Sequence, residues 1–211
     1  MLFDHSSIDH LKEELVTCIH FLHSQHWAPA TSSNYSFRIP DHDMYCISQS
    51  GKDKGEFDYN DLMIINNSGE PVEDVELRPS AETLLHTLIY ENPLTNCVLH
   101  THSAINTVLS TAHLAEGKVT IAGYELLKGL SGIATHNHSV DIPIFDNDQD
   151  MTSLSQKIRM YQASNPNMYG FLLAGHGLYT WGKTIKEARR HIEVLEFLFE
   201  VTFKSKLYGR S

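Results

Sequence analysis

Long apolar runs are missing from this chain, and so are clusters of positive charge. No stretch approaches the ~18 consecutive apolar residues that a membrane-spanning helix needs. No basic segment followed by an apolar one opens the sequence, so a cytoplasmic protein is expected. The 16 Lys+Arg are outnumbered by 26 Asp+Glu, giving a formal net charge of −10. Neither nucleic acid nor an anionic membrane is then an expected partner, because no basic cluster offsets phosphate repulsion. A small anionic ligand stays open, since a metal ion and a few local donors outweigh a global charge. Cysteine is scarce. Cys18, Cys46 and Cys97 are odd in number and lack C-x-x-C spacing, which points to buried free thiols in a reducing compartment. Repeats, low-complexity tracts and composition breaks are absent too, so residues 1–211 are expected to form a single domain.

Histidine, in contrast, is plentiful at 14 residues. His100-Thr101-His102 follows the apolar Cys97-Val98-Leu99, which reads as a buried strand. Residues two apart on a strand share a side at roughly 6.5–7 Å, so these imidazoles can converge on one ion. His176 sits between Gly175 and Gly177 after the apolar run Phe171–Ala174; the glycines let backbone or substrate approach its ring. Three imidazoles and one open position describe a catalytic rather than a structural zinc site. They also accept Fe, Co, Ni or Mn. Chance alone supplies about one H-x-H at this histidine content, and His136-Asn137-His138 is a second. That pair has no apolar run leading into it and reads as a surface loop. His20, His23 and His26 spread over one side of a predicted helix and read as a solvated or half-buried face.

The apolar periodicity predicts a first helix capped by Ser6 or Ser7, and a hairpin of Tyr35–Ile39 with Met44–Ser48. It also predicts a strand over Leu62–Asn66 and a helix from Ser80 to about Asn92. Further on it gives a helix from about Ser103 to His113, a short or edge strand at Ile142–Phe145, and a helix over Thr152–Ala163. Strands at Phe171–Ala174 and Leu178–Trp181 precede a long helix capped by Thr184 and running to about Lys206, with Ile192, Leu195, Phe199 and Phe203 as its apolar stripe and Glu and Lys elsewhere. Hairpins mixed with strand–helix alternation predict a mixed sheet covered by helices.

Three small-residue turns suit an anion: Thr31-Ser32-Ser33-Asn34, Ser50-Gly51-Lys52, and Pro79-Ser80 at a helix start. Lys52 and Lys54 bring full charge. Together with a metal triad these turns suggest a phosphorylated substrate. Two glutamates stand out for acid/base work. Glu82 lies in the turn opened by Ser80; Glu125 lies three residues before Lys128, on one face of a short helix. The pattern does not choose between them.

The segments Pro29–Ser36, Ser50-Gly51-Lys52-Asp53-Lys54-Gly55, Pro79-Ser80-Ala81-Glu82-Thr83, His100-Thr101-His102-Ser103, Glu125-Leu126-Leu127-Lys128, and His176-Gly177 with Trp181-Gly182 add up to a resemblance. Over nearly its whole length the chain resembles the zinc-dependent class II aldolase/adducin-type family. The H-T-H-S and H-G pieces are shared with sugar-phosphate aldolases and epimerases; the Glu125-x-x-Lys128 and Trp181-Gly182 pieces are similar to the family's dehydratases. The resemblance implies an α/β fold with a mixed, largely antiparallel central sheet sandwiched between helix layers. It implies one Zn2+ per subunit on His100, His102 and His176, with His136 and His138 as bystanders. Glu125 is then the acid/base, Glu82 lies near the metal, and Lys128 orients substrate or Glu125. The phosphate and substrate contacts are drawn from Thr31, Asn34, Ser50, Gly51, Lys52 and Ser80. The implied reaction is dehydration of a phosphorylated ketose, 5-methylthioribulose 1-phosphate, in a homotetramer with active sites at subunit contacts. The alternatives are an aldolase or epimerase using the same enediolate chemistry, or a non-catalytic scaffold of the same fold. One departure is visible: Ser33 stands where the family usually has glycine, and serine is strained there if the turn needs positive φ.

Overall fold

A computed structural model of the chain describes residues 5–72 and 77–209. Its strands are β1 (Tyr35–Arg38), β2 (Met44–Ser48), β3 (Leu62–Asn66), β4 (Cys97–Thr101), β5 (Lys118–Ala122), β6 (Ser139–Phe145), β7 (Gly170–Leu173) and β8 (Gly177–Gly182). The helices are α1 (Asp9–Ser24), α2 (Thr83–Ile89), α3 (Ala104–Ala112), α4 (Met151–Ser164) and α5 (Ile185–Leu207). The strands form one sheet in the order β3-β2-β1-β4-β8-β7-β6-β5, antiparallel everywhere except between β6 and β7. The mixed, largely antiparallel sheet is thus present.

Strand alternation decides what each face buries. On β4, Cys97 and Leu99 join Leu15, Ile19 and Leu22 of α1 and Ile192 of α5 on one side. Val98 points the other way, into Leu85, Leu88 and Ile89 of α2 and Leu154 and Ile158 of α4. Leu15, Ile19 and Leu22 have 0% exposure, and burying each contributes roughly 1.5–3 kcal/mol. Helices therefore cover both faces. His100 shares the Val98 side and stacks on Tyr179 of β8 at 3.9 Å. The α1/α5 face and the α2/α4 face end up chemically distinct, and the histidine lies on the second.

Several boundaries differ from expectation. Ser6 and Ser7 lie in a 3-10 turn, His5–Ile8, and α1 begins at Asp9 without a side-chain cap. The helix expected from Ser80 begins at Thr83, because Thr83 N–H donates to Ser80 O at 3.0 Å as a turn before the helix proper. Strand β5 was not foreseen. Strand β6 is not at the edge: β5 and β7 flank it, and Pro143 is tolerated because pairing with β7 starts one residue later, at Ile144. No described helix is long and apolar enough to cross a membrane.

Candidate metal centre

The centre forms where β4 ends beside the β7–β8 connection. His100 is fully buried, and its Nδ1–H donates to Leu178 O at 2.9 Å. That bond fixes the tautomer and leaves the Nε2 lone pair facing the end of the sheet. His176 is presented by a tight turn in which its N–H donates to Leu173 O at 3.1 Å and Gly175 takes φ +65. Its Nδ1–H donates to Asn147 Oδ1 at 3.1 Å, so its Nε2 turns toward His100 and Glu82. Gly177 admits the close approach: a Cβ there would lie 2.2 Å from Thr101 O and 2.8 Å from His100 Cε1.

The three rings meet. One nitrogen from each of His100, His102 and His176 lies within 4.8 Å of the others. His102 Nε2 and His176 Nε2 are 2.7 and 3.4 Å from His100 Nε2. Burial first, and then the neighbouring imidazoles, pull His102 down to about 4 and His100 well below the ordinary histidine value. Three imidazole nitrogens turned inward at this spacing make a donor set that fits a divalent metal ion.

A carboxylate completes the wall. Glu82 Oε1 is 3.0 Å from His176 Nε2, and Oε2 is 3.6 Å from His100 Nε2. Oε2 also accepts from Asn34 Nδ2 at 2.5 Å and from Tyr179 Oη at 3.0 Å. Burial works to raise this carboxyl, but His176, His100 and Asn34 outweigh it and hold it well below the usual range. Glu82 is therefore an anion facing the three imidazoles.

The remaining expected residues fall into two groups. Near the centre, Ser80 Oγ accepts from Glu82 N–H at 3.3 Å, and Ser50 N–H donates to Arg78 O at 3.4 Å, which brings the two small-residue turns together. Gly51 takes φ +75 in an exposed turn, and Thr31 is exposed in the loop ahead of β1. Lys52 is ion-paired with Asp61 at 2.6 Å, so its charge is already answered. Lys54 is buried and donates to Lys52 O at 2.8 Å; burial pulls its ammonium down to about 8. Asn34, expected as a substrate contact, faces the carboxylate of Glu82. Both ends of its amide are occupied, by Glu82 and by His86. Ser33 does take φ +73, with its hydroxyl buried and unpaired, so the serine carries the strain a glycine would avoid.

Glu125 and Lys128 are not brought to the histidines within one chain. They lie on an exposed 3-10 turn, Glu125–Gly129, ion-paired to each other, with His136 Nδ1 at 3.5 Å from Glu125. This turn packs through Leu127 and Leu130 onto Val194 and Leu198 of α5, the face opposite His100. His136 and His138 are exposed in the loop before β6. Residues that sequence reading missed are Tyr179, Asn147, His86, Ser36, Tyr90 and Glu196. Of these, only His86 carried a local signal: it is one helical turn after Glu82.

The family model described as "Class II Aldolase and Adducin N-terminal domain" matches residues 13–203. The chain belongs to the class II aldolase and adducin family. Among curated members, a methylthioribulose-1-phosphate dehydratase of Picosynechococcus sp. is 47% identical over 191 residues, covering 90% of this chain and 89% of that protein. One of the same name from Stenotrophomonas maltophilia is 44% identical over 209 residues, covering 98% and 97%. Solved members share the fold at lower identity. An L-fuculose-1-phosphate aldolase from Thermus thermophilus superposes with a TM-score of 0.75 at 19% identity, covering 96% of this chain and 98% of that one. A sugar-phosphate aldolase from Thermotoga maritima gives 0.71 at 16%, with the same coverage.

Proposed function

We propose that this chain is a zinc-dependent hydro-lyase that converts 5-methylthioribulose 1-phosphate to 2,3-diketo-5-methylthiopentyl 1-phosphate, a step of methionine salvage in the cytoplasm. The observation that carries the substrate is the identity of more than two fifths, over nearly the full length, to relatives named for that reaction. The chemistry of the centre agrees with it. His100, His102 and His176 hold the ion, and zinc bound there supplies Lewis acidity to the C2 carbonyl of the ketose. Glu82, held as an anion, orders the metal side of the cavity. Ser50, Gly51, Ser80 and Thr31 line the neighbouring turns and take the phosphate through hydroxyls and backbone N–H groups, with Lys52 at their edge.

Glu125 is the acid/base. It takes the C3 proton and returns it to the C4 hydroxyl, which leaves as water; the resulting enol then tautomerises to the diketone. Because Glu125 sits on the opposite face from His100, it acts on the centre of a neighbouring copy in a homotetramer. Exposed Leu126 and Phe197, with Tyr124 and Gly129, make an apolar rim around it that suits burial against such a copy. Lys128, paired with Glu125, travels with it and orients either the carboxylate or the substrate.

The test is turnover of 5-methylthioribulose 1-phosphate, followed as diketone formation with and without chelator. Turnover abolished by chelation and restored by zinc supports the reading. Release of an aldehyde by retro-aldol cleavage, or no turnover from a folded protein holding one zinc per subunit, overturns it in favour of aldolase or epimerase chemistry.

A further inference from the structure

Behind Glu82 runs a line of buried polar side chains that the chemistry above does not use. Asn34 donates from Nδ2 to Glu82 Oε2 at 2.5 Å, and its Oδ1 makes a close hydrogen bond with His86 Nε2. His86 Nδ1 lies 2.7 Å from Ser36 Oγ, which lies 2.8 Å from Tyr90 Oη. Asn34, Ser36, His86 and Tyr90 are all buried, so bulk water offers no competing partners. Burial also pulls His86 down to about 4, leaving a neutral ring with one N–H.

The donor inventory then permits one arrangement of protons. Asn34 presents its NH2 to Glu82 Oε2 and keeps Oδ1 for His86. His86 must carry its proton on Nε2, and its Nδ1 accepts the Ser36 hydroxyl. The Ser36 oxygen accepts in turn from Tyr90. Every donor in the line points toward Glu82. Without a donor on its oxygen, the Asn34 amide would be held at one end only and its buried Oδ1 left unpaired. His86 prevents that.

We propose that the Tyr90–Ser36–His86–Asn34 line is a positioning device for Glu82, with His86 as its decisive member. It locks Oε2 between Asn34 and Tyr179, which fixes the carboxylate plane and holds Oε1 at 3.0 Å from His176 Nε2. The functional side of this proposal rests on the dehydratase reading of the same centre; the proton arrangement does not.

The first test therefore needs no turnover. Long-range 1H–15N correlation of the histidine rings, with His86 assigned by the shift that Ser36→Ala imposes on it, should show a neutral Nε2–H ring at pH 7. An Nδ1–H ring or an imidazolium overturns the proposal, whatever the substrate proves to be. The second test compares His86→Gln with His86→Leu. Glutamine restores a donor toward Asn34 and leucine does not. His86→Leu should lower kcat about ten- to a hundred-fold, the value of one charge-assisted hydrogen bond, with KM and zinc content little changed. His86→Gln should recover most of that loss. Equal rates for His86→Leu and wild type, or equal loss in both variants at matched thermal stability, would overturn it. If neither variant folds, the ring measurement still decides.

Discussion

Gly177→Ala tests how the ligand strands are held together. The added Cβ would sit 2.2 Å from Thr101 O, a backbone atom that cannot swing aside, and 2.8 Å from the His100 ring. Restoring ordinary contact means parting β4 from β8 by about 1 Å beside the Thr101–Leu178 pair, and overpacking of this kind costs roughly 1–3 kcal/mol. At roughly 2–4 °C per kcal/mol for a chain of this size, the melting temperature should fall by about 2–12 °C. Metal binding should suffer more, because His100 rides on β4 and His176 on the turn into β8. A shift of about 1 Å is half the length of a Zn–N bond of ~2.0–2.1 Å, so zinc affinity should drop at least about ten-fold. Gly175→Ala is the control. That residue has φ +65 but open space, with Thr111 Oγ1 at 3.5 Å as the nearest atom, so the cost is backbone strain of about 1–2 kcal/mol without displacement of a ligand. The assays are thermal unfolding of the metal-free protein and zinc competition with a chromophoric chelator. Wild-type stability and affinity in Gly177→Ala, or weaker zinc binding in Gly175→Ala than in Gly177→Ala, would refute the reasoning.

His100→Ala should lose zinc and turnover together, whereas His138→Ala, on the exposed loop, should keep both; metal analysis per subunit checks the pair. Glu125→Gln should keep zinc and lose about 10²–10⁴ in kcat. Mixed oligomers of Glu125→Gln and His100→Ala chains should regain part of the activity, because an intact Glu125 then meets an intact triad; no recovery would place the work of Glu125 within its own chain. Glu196 gives a pH prediction. Burial pushes its carboxyl from 4.5 up to about 7, against the opposing hydrogen bonds from Ser103, Asn106 and Thr101. The unfolded chain ionises this group first, so stability is full below pH 4.5 and declines until about pH 7, by roughly 3 kcal/mol at about 1.4 kcal/mol per pH unit. Urea unfolding across that range should show the decline in wild type and a flatter curve in Glu196→Gln; parallel curves would refute it.

What the sequence revealed follows the range over which each signal acts. The three histidines that the fold brings together were legible as candidates because His100 and His102 are two apart at the end of one strand and His176 stands between glycines. Strands β2 and β3 were legible at their observed bounds because each carries an apolar run between turn residues. Strand β5 was not: Lys118, Thr120 and Ala122 alternate with only two buried residues, Val119 and Ile121, which is too short a pattern to stand out. The hydrogen-bond partners of the site escaped for a different reason. Asn34 and Glu82 are 48 residues apart, His86 and Ser36 are 50, and Glu196 reaches Ser103 across 93. No local periodicity reports such pairs. Glu196 is the sharpest case, since it occupies a helix position that reads as part of a solvated polar face. The fold instead turns it inward to 3% exposure, where Thr101 and Ser103, the neighbours of His102, donate to it. An apolar residue there would leave those buried hydroxyl protons without their acceptor, and each would cost about 1–3 kcal/mol. The glutamate answers the polar needs of the strand end that carries His100 and His102.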